Sequence, residues 1–301
     1  MEQYICIDIG GTAIKYGLLD EQAQILERHS IPAEGQKGGA QLLRKTLDIV
    51  RKYRSEAVGV CLSSAGMVDI VRGEIFYAGP TIPDFAGTRF RAAVQETFGL
   101  PCEIENDVNC AGLAEARSGA GQGASSMLCL TVGTGIGGCF VVDGRVWHGF
   151  SNSACEVGYM HMPGGNFQEI GANSVMVGEL RRRKKATERE WGGRRIFDAA
   201  RAGDADCIEV IDRMVDALGM GMANICYVLN PELIVLGGGV MQQEEYLYPR
   251  LRKALEKYLT DAVASRTKLA FAAYRNSAGM IGALYHFRDM QARRAEGEFK
   301  S

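Results

Sequence analysis

Two short stretches of this 301-residue chain concentrate residue types that can do chemistry, the first of them suited to handling a phosphate. The first is Asp8-Ile-Gly-Gly-Thr, followed by Lys15. Gly10 and Gly11 can adopt positive φ and let backbone N–H groups approach a ligand, while Thr12 adds a hydroxyl and Lys15 a cation. Strand alternation puts Tyr4, Cys6 and Asp8 on one face, where a carboxylate is costly unless it meets a cation or hydrogen-bond donors. An ordinary hairpin with a glycine turn explains this stretch equally well. The second stretch is Glu105-Asn-Asp-Val-Asn, in which Asn106, Asp107 and Asn109 crowd together. A helix N-cap uses one such residue, and three are present.

The elements that must position these residues alternate strands and helices. Apolar runs Tyr4 to Ile9 and Ile14 to Leu19 flank the first turn, so the order is strand, glycine turn, strand. A Walker A loop or a dinucleotide motif would open a helix instead. The same order recurs where Met127 to Val132 leads into Gly133-Thr134-Gly135-Ile136-Gly137-Gly138 and then Cys139 to Val142. Gly133, Gly135 and Gly138 match the spacing G-x-G-x-x-G, but they open a strand, which excludes the dinucleotide reading. This near-echo is the main organisational clue. Two lobes, each opening on a strand, glycine turn and strand, can close two backbone-amide cradles on one polyphosphate.

Other strands end on candidate ligand-facing turns. Ala57 to Leu62 runs into Ser63, Ser64, Ala65 and Gly66, and Cys102 to Glu105 delivers the Asn106–Asn109 cluster to a helix expected over 111–117. Leu233 to Leu236 ends in Gly237, Gly238 and Gly239, where bare backbone could lie flat against an adenosine; a plain strand-end turn explains it equally well. Phe150 to Asn173 lacks a clear period and carries Glu156, Tyr159, His161 and Glu169, the composition of a polar site-forming loop. A helix is expected from Glu179 to Glu190, its basic run Arg181 to Lys185 read as a solvated face.

With 34 Lys and Arg against 36 Asp and Glu, the net charge of -2 favours neither nucleic acid nor an anionic membrane as partner. No apolar run approaches the roughly 20 residues of a membrane span, and the chain enters a strand without a signal-like segment, so a cytoplasmic protein is expected. The nine cysteines lie mostly in apolar runs and form no C-x-x-C pair, which fits reduced, packing thiols better than a thiolate zinc site.

In order along the chain, Asp8-Ile-Gly-Gly-Thr, Glu105-Asn-Asp-Val-Asn, Leu130-Thr-Val-Gly-Thr-Gly-Ile-Gly-Gly, Glu156-Val-Gly and Leu236-Gly-Gly-Gly resemble the sugar kinases of the ROK family (repressor, open reading frame, kinase). The resemblance covers nearly the whole chain. It implies an α/β, two-lobed actin-like ATPase (ribonuclease H-like, duplicated) fold with an interlobe cleft. The lobes are placed at residues 1–118, joined by a C-terminal helix around 280–301, and at 119–279. By the same resemblance Asp107 is the general base, and Asn106, Glu156 and Glu169 bind the sugar with Gly66, Thr81 and Tyr159 beside it. ATP would lie on Asp8, Gly10, Gly11, Thr12, Lys15, Gly133, Thr134, Gly135 and Gly237 to Gly239, with Mg²⁺ held near Asp8 mostly through water.

Two departures from the family pattern stand out. Tyr159 replaces the zinc-binding His, and Met160 to Ile170 contains no Cys, so no structural zinc is expected. Thr81 stands where the family has a sugar-contacting Asn, which leaves sugar preference open. Among zinc-less members, Gly73 to Phe85 and Phe150 to Tyr159 look most like N-acetylmannosamine kinases, with β-glucoside kinase or glucokinase as alternatives. A homodimer fits the family. A sugar-responsive regulator would carry a DNA-binding extension before Tyr4, and a sugar-independent actin-like ATPase would hydrolyse ATP without an acceptor.

Overall fold

The computed structural model describes residues 2–187 and 190–298. Along the chain come β1 (Gln3–Ile9), β2 (Ala13–Asp20), β3 (Ile25–Pro32), α1 (Gly39–Tyr53), β4 (Gly59–Ser64), β5 (Met67–Asp69), β6 (Glu74–Tyr77), α2 (Phe90–Phe98), β7 (Cys102–Asn106) and α3 (Asp107–Ser118). Next are β8 (Ser126–Val132), β9 (Ile136–Val142), β10 (Arg145–Val146), β11 (His161–Met162), β12 (Gly165–Asn166), α4 (Phe167–Gly171), α5 (Asn173–Lys184), α6 (Gly193–Arg201) and α7 (Ala205–Leu229). The chain closes with β13 (Leu233–Gly237), α8 (Glu244–Tyr258), α9 (Asp261–Ala264), β14 (Lys268–Phe271) and α10 (Ala278–Ala295).

Two compact units result, one of residues 1–114, 146–154 and 276–301, the other of 115–145 and 155–275. The segment 146–154, which the sequence boundaries assign to the second lobe, groups with the first unit. The first unit is built on a five-stranded sheet in the order β3-β2-β1-β4-β7, with β1, β4 and β7 parallel and β2 and β3 antiparallel. β4 is buried throughout and β1 nearly so, as expected of central strands covered on both faces, whereas the edge strand β3 (ILERHSIP) turns its charges to water. Ile5, Ile7, Leu62, Ile104, Phe85 and Phe90 lie in its core.

The second unit repeats the plan with the order β10-β9-β8-β13-β14, where β8, β13 and β14 are parallel and β9 is antiparallel to β8. Its core gathers Leu128, Leu130, Phe167, Phe197, Ile234 and Leu236 under the long α7. Asp204 starts that helix by accepting from the Cys207 N–H at 3.1 Å, and Asn230 ends it in the left-handed region at φ 45°.

Three elements differ from the sequence expectation. α3 begins at Asp107 rather than at residue 111, because Asn106 supplies the cap and the polar cluster becomes the first helical turn. The helix expected over 179–190 instead spans Asn173–Lys184 and stops where Lys185 turns left-handed at φ 51°; residues 188–189 of the expected span lie outside the described ones. Within the aperiodic stretch 150–173 sit the β11/β12 ribbon and the short α4. Among the described residues, no helix is long and apolar enough to cross a membrane.

Candidate active site

In the first unit, strand register assembles the surroundings of Asp8. It pairs with Lys15 on β2 and with Ser63 on β4, so the three side chains share one face of the sheet. Ser63 Oγ donates to Asp8 Oδ1 at 2.8 Å, and Lys15 Nζ stands 3.3 Å from Oδ2. A cation and a hydroxyl thus offset the cost of the carboxylate on an apolar strand. Helix α10 also approaches the acid closely: a Cβ on Gly279 would fall 2.6 Å from the Asp8 carboxylate. In the turn, Gly10 N–H donates to the Ala13 carbonyl at 3.1 Å, and the exposed Gly11 accepts from Gly35 N–H at 3.2 Å. Thr12 is exposed beside them.

At the end of β7, Asn106 Oδ1 accepts from the N–H groups of Val108 and Asn109 at 2.9 and 3.0 Å, which caps α3. Its Nδ2 donates to the Gly66 carbonyl at 2.9 Å and to Asp107 Oδ1 at 3.1 Å. Gly66 sits at φ 91°, and a Cβ there would meet the Tyr77 carbonyl at 2.9 Å, so only glycine fits this close approach. Asp107 is half-buried in the first turn of α3, its carboxylate oriented by the Asn106 amide and the Val108 N–H. Thr81 is exposed in the loop after β6.

Behind this turn lies Glu105, which is buried together with His286, while His148 is mostly covered. Burial pushes the Glu105 carboxyl up, but the facing His148 and His286 rings and the bonds from His148 and Asn109 outweigh it and hold the group well below the usual range. Burial works to lower His148 too, and its pairing with Glu105 prevails to raise it. Sequence reasoning missed Ser63 as a partner of Asp8 and both histidines as partners of Glu105. An acid inside the buried strand Cys102–Asn106 was the available signal, since it asks for a cation as Asp8 does.

In the second unit, the β8–β9 turn lies against the start of α5. Gly133 N–H donates to the Gly135 carbonyl at 2.9 Å, while Ser174 donates through Oγ to the Thr134 carbonyl at 2.6 Å and through its N–H to Gly133 at 3.3 Å. A cavity of about 380 Å³ opens there, lined by Gly133, Thr134, Asn173, Arg194, Gly239 and Gln243 among others. Asn173 Oδ1 is buried without a hydrogen-bond partner at its wall, an acceptor suited to a ligand donor. Gly238, at φ 100°, lets the chain leave β13 hard against the end of its parallel neighbour β8, since a Cβ would stand 2.1 Å from the Val132 carbonyl. Gly135 and Gly237 pack against Gln168 and Ala272. Asn173, Arg194 and Gln243 carried no motif in the sequence; the packing of their helices brings them to the glycine turn.

The remaining candidates lie on separate elements of this unit. Glu156 is half-buried before the tight turn Val157–Tyr159, and burial raises its carboxyl. Gly158 seats that turn on β9, where a Cβ would meet the Ile136 carbonyl at 2.3 Å. Tyr159 and His161 are exposed. Glu169 is exposed in the first turn of α4 and accepts from the Asn166 N–H at 3.0 Å, so one of its oxygens already closes a capping box. Two members of the basic run are paired with acids: Arg183 with Glu179 and Glu209, and Lys184 with Asp204 and Asp206.

The donor set can be tested against metals. Asp8 offers a single carboxylate beside a hydroxyl-bearing turn, which suits a Mg²⁺ ion that keeps its water and leans on phosphate oxygens. The stretch 156–170 offers one exposed His and no thiolate, which does not suit the family's zinc cluster. Among the described residues, a group of three possible metal donors occurs at Glu105, His148 and His286.

The profile described as ROK family matches residues 4–290. A β-glucoside kinase of Listeria monocytogenes is 32% identical over 290 residues, covering 93% of this chain and 95% of that protein. A solved Listeria monocytogenes protein provisionally named an N-acetylmannosamine kinase is 30% identical, with a TM-score of 0.87 over 96% of this chain and 99% of the other. A Streptomyces griseus ROK glucokinase, solved with glucose and AMPPNP, is 25% identical, with a TM-score of 0.83 over 95% and 99%. The two sheet-based lobes are those of the actin-like ATPase fold of these kinases. The chain belongs to the ROK family, and it is an ATP-dependent sugar kinase.

Proposed function

We propose that the protein phosphorylates a hexose hydroxyl with Asp107 as general base, and that N-acetylmannosamine, giving its 6-phosphate, is the acceptor. The observation that carries the base assignment is the Asp107 carboxylate, half-buried at the start of α3 and oriented by Asn106 Nδ2 at 3.1 Å. A sugar hydroxyl is a weak nucleophile, and a positioned carboxylate that accepts its proton contributes typically about 10²- to 10⁴-fold. As the sugar oxygen bonds to the γ-phosphorus, the proton passes to Asp107. The bond from phosphorus to the bridging oxygen breaks, and ADP leaves with that electron pair.

Asn106, Glu156 and Glu169, with Gly66, Thr81 and Tyr159, meet the sugar hydroxyls in this reading. The cavity at Gly133, Thr134 and Gly239 receives the nucleotide, its buried Asn173 Oδ1 accepting a donor from it. Gly10, Gly11, Thr12 and Lys15 face the phosphates. Mg²⁺ near Asp8 would neutralise phosphate charge. Structural zinc is not required, and the enzyme works as a cytoplasmic homodimer.

The N-acetylmannosamine assignment draws support from the Gly73–Phe85 and Phe150–Tyr159 segments and from the provisional name of one structural relative. The β-glucoside kinase relative favours a second reading, a β-glucoside or glucose acceptor. A coupled ADP assay over N-acetylmannosamine, N-acetylglucosamine, glucose, cellobiose and fructose separates them. The highest kcat/KM is expected with N-acetylmannosamine. A higher value with cellobiose or glucose moves the assignment to the second reading, and ATP hydrolysis indifferent to every sugar overturns both.

A further inference from the structure

Glu105 is an acid that the phosphoryl-transfer reading leaves without a task. Its side chain is 1% exposed, and a carboxylate that deep is tolerated only when its lone pairs are filled. The partners described for it all belong to the first unit. Oε1 accepts from the Asn106 N–H at 2.7 Å and from Asn109 Nδ2 at 3.0 Å. Oε2 lies 2.5 Å from His148 Nε2 and 3.3 Å from His286 Nδ1.

One face of this carboxylate therefore holds the first turn of α3, two residues from Asp107, and the other is held by two imidazoles. The imidazoles are not equivalent. His286 has its Nε2 buried without a partner, and burial lowers its affinity for a proton, so it faces Glu105 as a neutral ring donating from Nδ1. His148 is the ring whose hold on a second proton is strengthened, since its pairing with Glu105 outweighs the opposing effect of burial. Asp289 and Arg293 of α10 are the other charged groups that act on His148. A metal ion between these donors is disfavoured by the contact itself. Ligand atoms about 2.0 to 2.2 Å from a tetrahedral zinc stand well over 3 Å apart, whereas His148 and Glu105 touch at 2.5 Å.

We propose that His148, acting through Glu105, is a positioning residue for the base. The His148–Glu105 pair fixes the carboxylate rotamer that ties down Asn106 N–H and the Asn109 amide, and with them the turn that aims Asp107 at the sugar hydroxyl. This rests on the reading of Asp107 as the base. It predicts that losing the pair slows the chemical step without disturbing nucleotide binding, because ATP is assigned to the glycine turns and not to this cluster.

The test compares full-length wild type with His148→Gln, His148→Lys and Asp107→Asn in the coupled assay, with kcat and both KM values measured from pH 5.5 to 9 and folding followed by thermal unfolding. His148→Gln is expected to lower kcat about tenfold near neutral pH while the KM for ATP stays within about twofold. Wild-type kcat should fall as pH rises through the point where His148 loses its proton, above the ordinary histidine value of about 6.5, and that limb should vanish in His148→Gln. His148→Lys, which returns a cation to face Glu105, should recover much of the lost kcat.

A folded His148→Gln with near-wild-type kcat and an unchanged pH profile, beside an inactive Asp107→Asn, overturns the proposal alone. So does a folded His148→Lys as slow as His148→Gln, or a stoichiometric metal in wild type that disappears with His148. An active Asp107→Asn overturns the base reading, and the positioning role falls with it.

Discussion

In the first unit the strand entering the glycine turn carries Asp8, whose register neighbours are Lys15 and Ser63. In the second unit the strand in the same place in its sheet carries Thr131, whose neighbours are Gly137 and Gly237. The scaffold around the two positions is the same, a parallel partner on one side and an antiparallel one on the other. One sheet has used it to hold a carboxylate against a cation and a hydroxyl. The other has glycine at both neighbours, leaving a backbone surface, and the cavity opens at the turn that follows, against Gly133 and Thr134. The repeated hairpin therefore presents two surfaces of unlike chemistry, one charged and one made of amides and carbonyls.

If that division holds, the largest effect comes from the charged unit. Asp107→Asn should reduce kcat by about 10²- to 10⁴-fold, the typical worth of general-base catalysis. ATP affinity, measured by calorimetry, should change little, because Asp107 is not among the residues proposed to hold ATP: it lies neither in the Asp8–Lys15 hairpin nor on the wall of the cavity proposed for the nucleotide. A parallel loss of ATP affinity would blur the distinction between the two cradles.

The next effect probes the backbone-made unit. Gly238→Ala places a Cβ 2.1 Å from the Val132 carbonyl at a φ of 100°, and overpacking with left-handed strain should cost about 3 kcal/mol of stability. Gly133→Ala meets nothing within 4 Å, so its cost to folding should stay within roughly 0.5 kcal/mol and its effect should show instead in the KM for ATP. Thermal unfolding of both variants checks the contrast. Equal loss of stability would mean that the turn is held by more than its close approaches.

How far these features are legible in the sequence depends on whether they are local. The paired hairpins were, because apolar runs and glycines lie consecutively in the chain. The Asn106–Asp107 cluster was also visible, and with it that one member could cap a helix, though not that the cap would be the Asn106 side-chain oxygen. Ser63, His148, His286 and Asn173 were not, because register or helix packing brings each to its partner across tens of residues. Glu169 shows the converse: it looks like a free loop acid, and the capping box it forms with Asn166 emerges only once α4 is known to start there. The helix expected over 179–190 had the wrong bounds because the basic run Arg181 to Lys185 was read as a solvated face mid-helix. Arg181 to Lys184 form its last turn, where cations face the negative end of the helix dipole, and Lys185 ends it.

A smaller effect is expected from Asp8→Asn. The substitution keeps a partner for Ser63 and removes the charge that faces Lys15 and, in the proposed mechanism, Mg²⁺. The Mg²⁺ concentration for half-maximal activity should rise several-fold, with a milder fall in kcat at saturating metal, since an ion that keeps most of its water loses only part of its hold. Titration of Mg²⁺ at fixed ATP measures it. An unchanged Mg²⁺ dependence would leave Asp8 as a partner for Lys15 alone.

The smallest effect sharpens the comparison from within the second unit, where Glu156 is a half-buried acid with its proton affinity raised by desolvation. Because its folded-state pKa lies above the unfolded value, the folded protein binds this proton more readily. The stabilising contribution is therefore complete below the ordinary carboxylate pKa of about 4.3 and fades as pH rises through the raised value. Sugar binding should run the other way, since ionised Glu156 accepts hydroxyl hydrogen bonds and the protonated form does so less well. The KM for the sugar should thus climb modestly as pH falls toward 5, while the KM for ATP stays flat. Glu156→Gln should fix the sugar KM near the acidic value at every pH and remove the destabilisation seen above it. If the sugar KM of that variant still varies with pH as in wild type, the titrating group lies elsewhere, and Glu156 then serves the loop rather than the substrate.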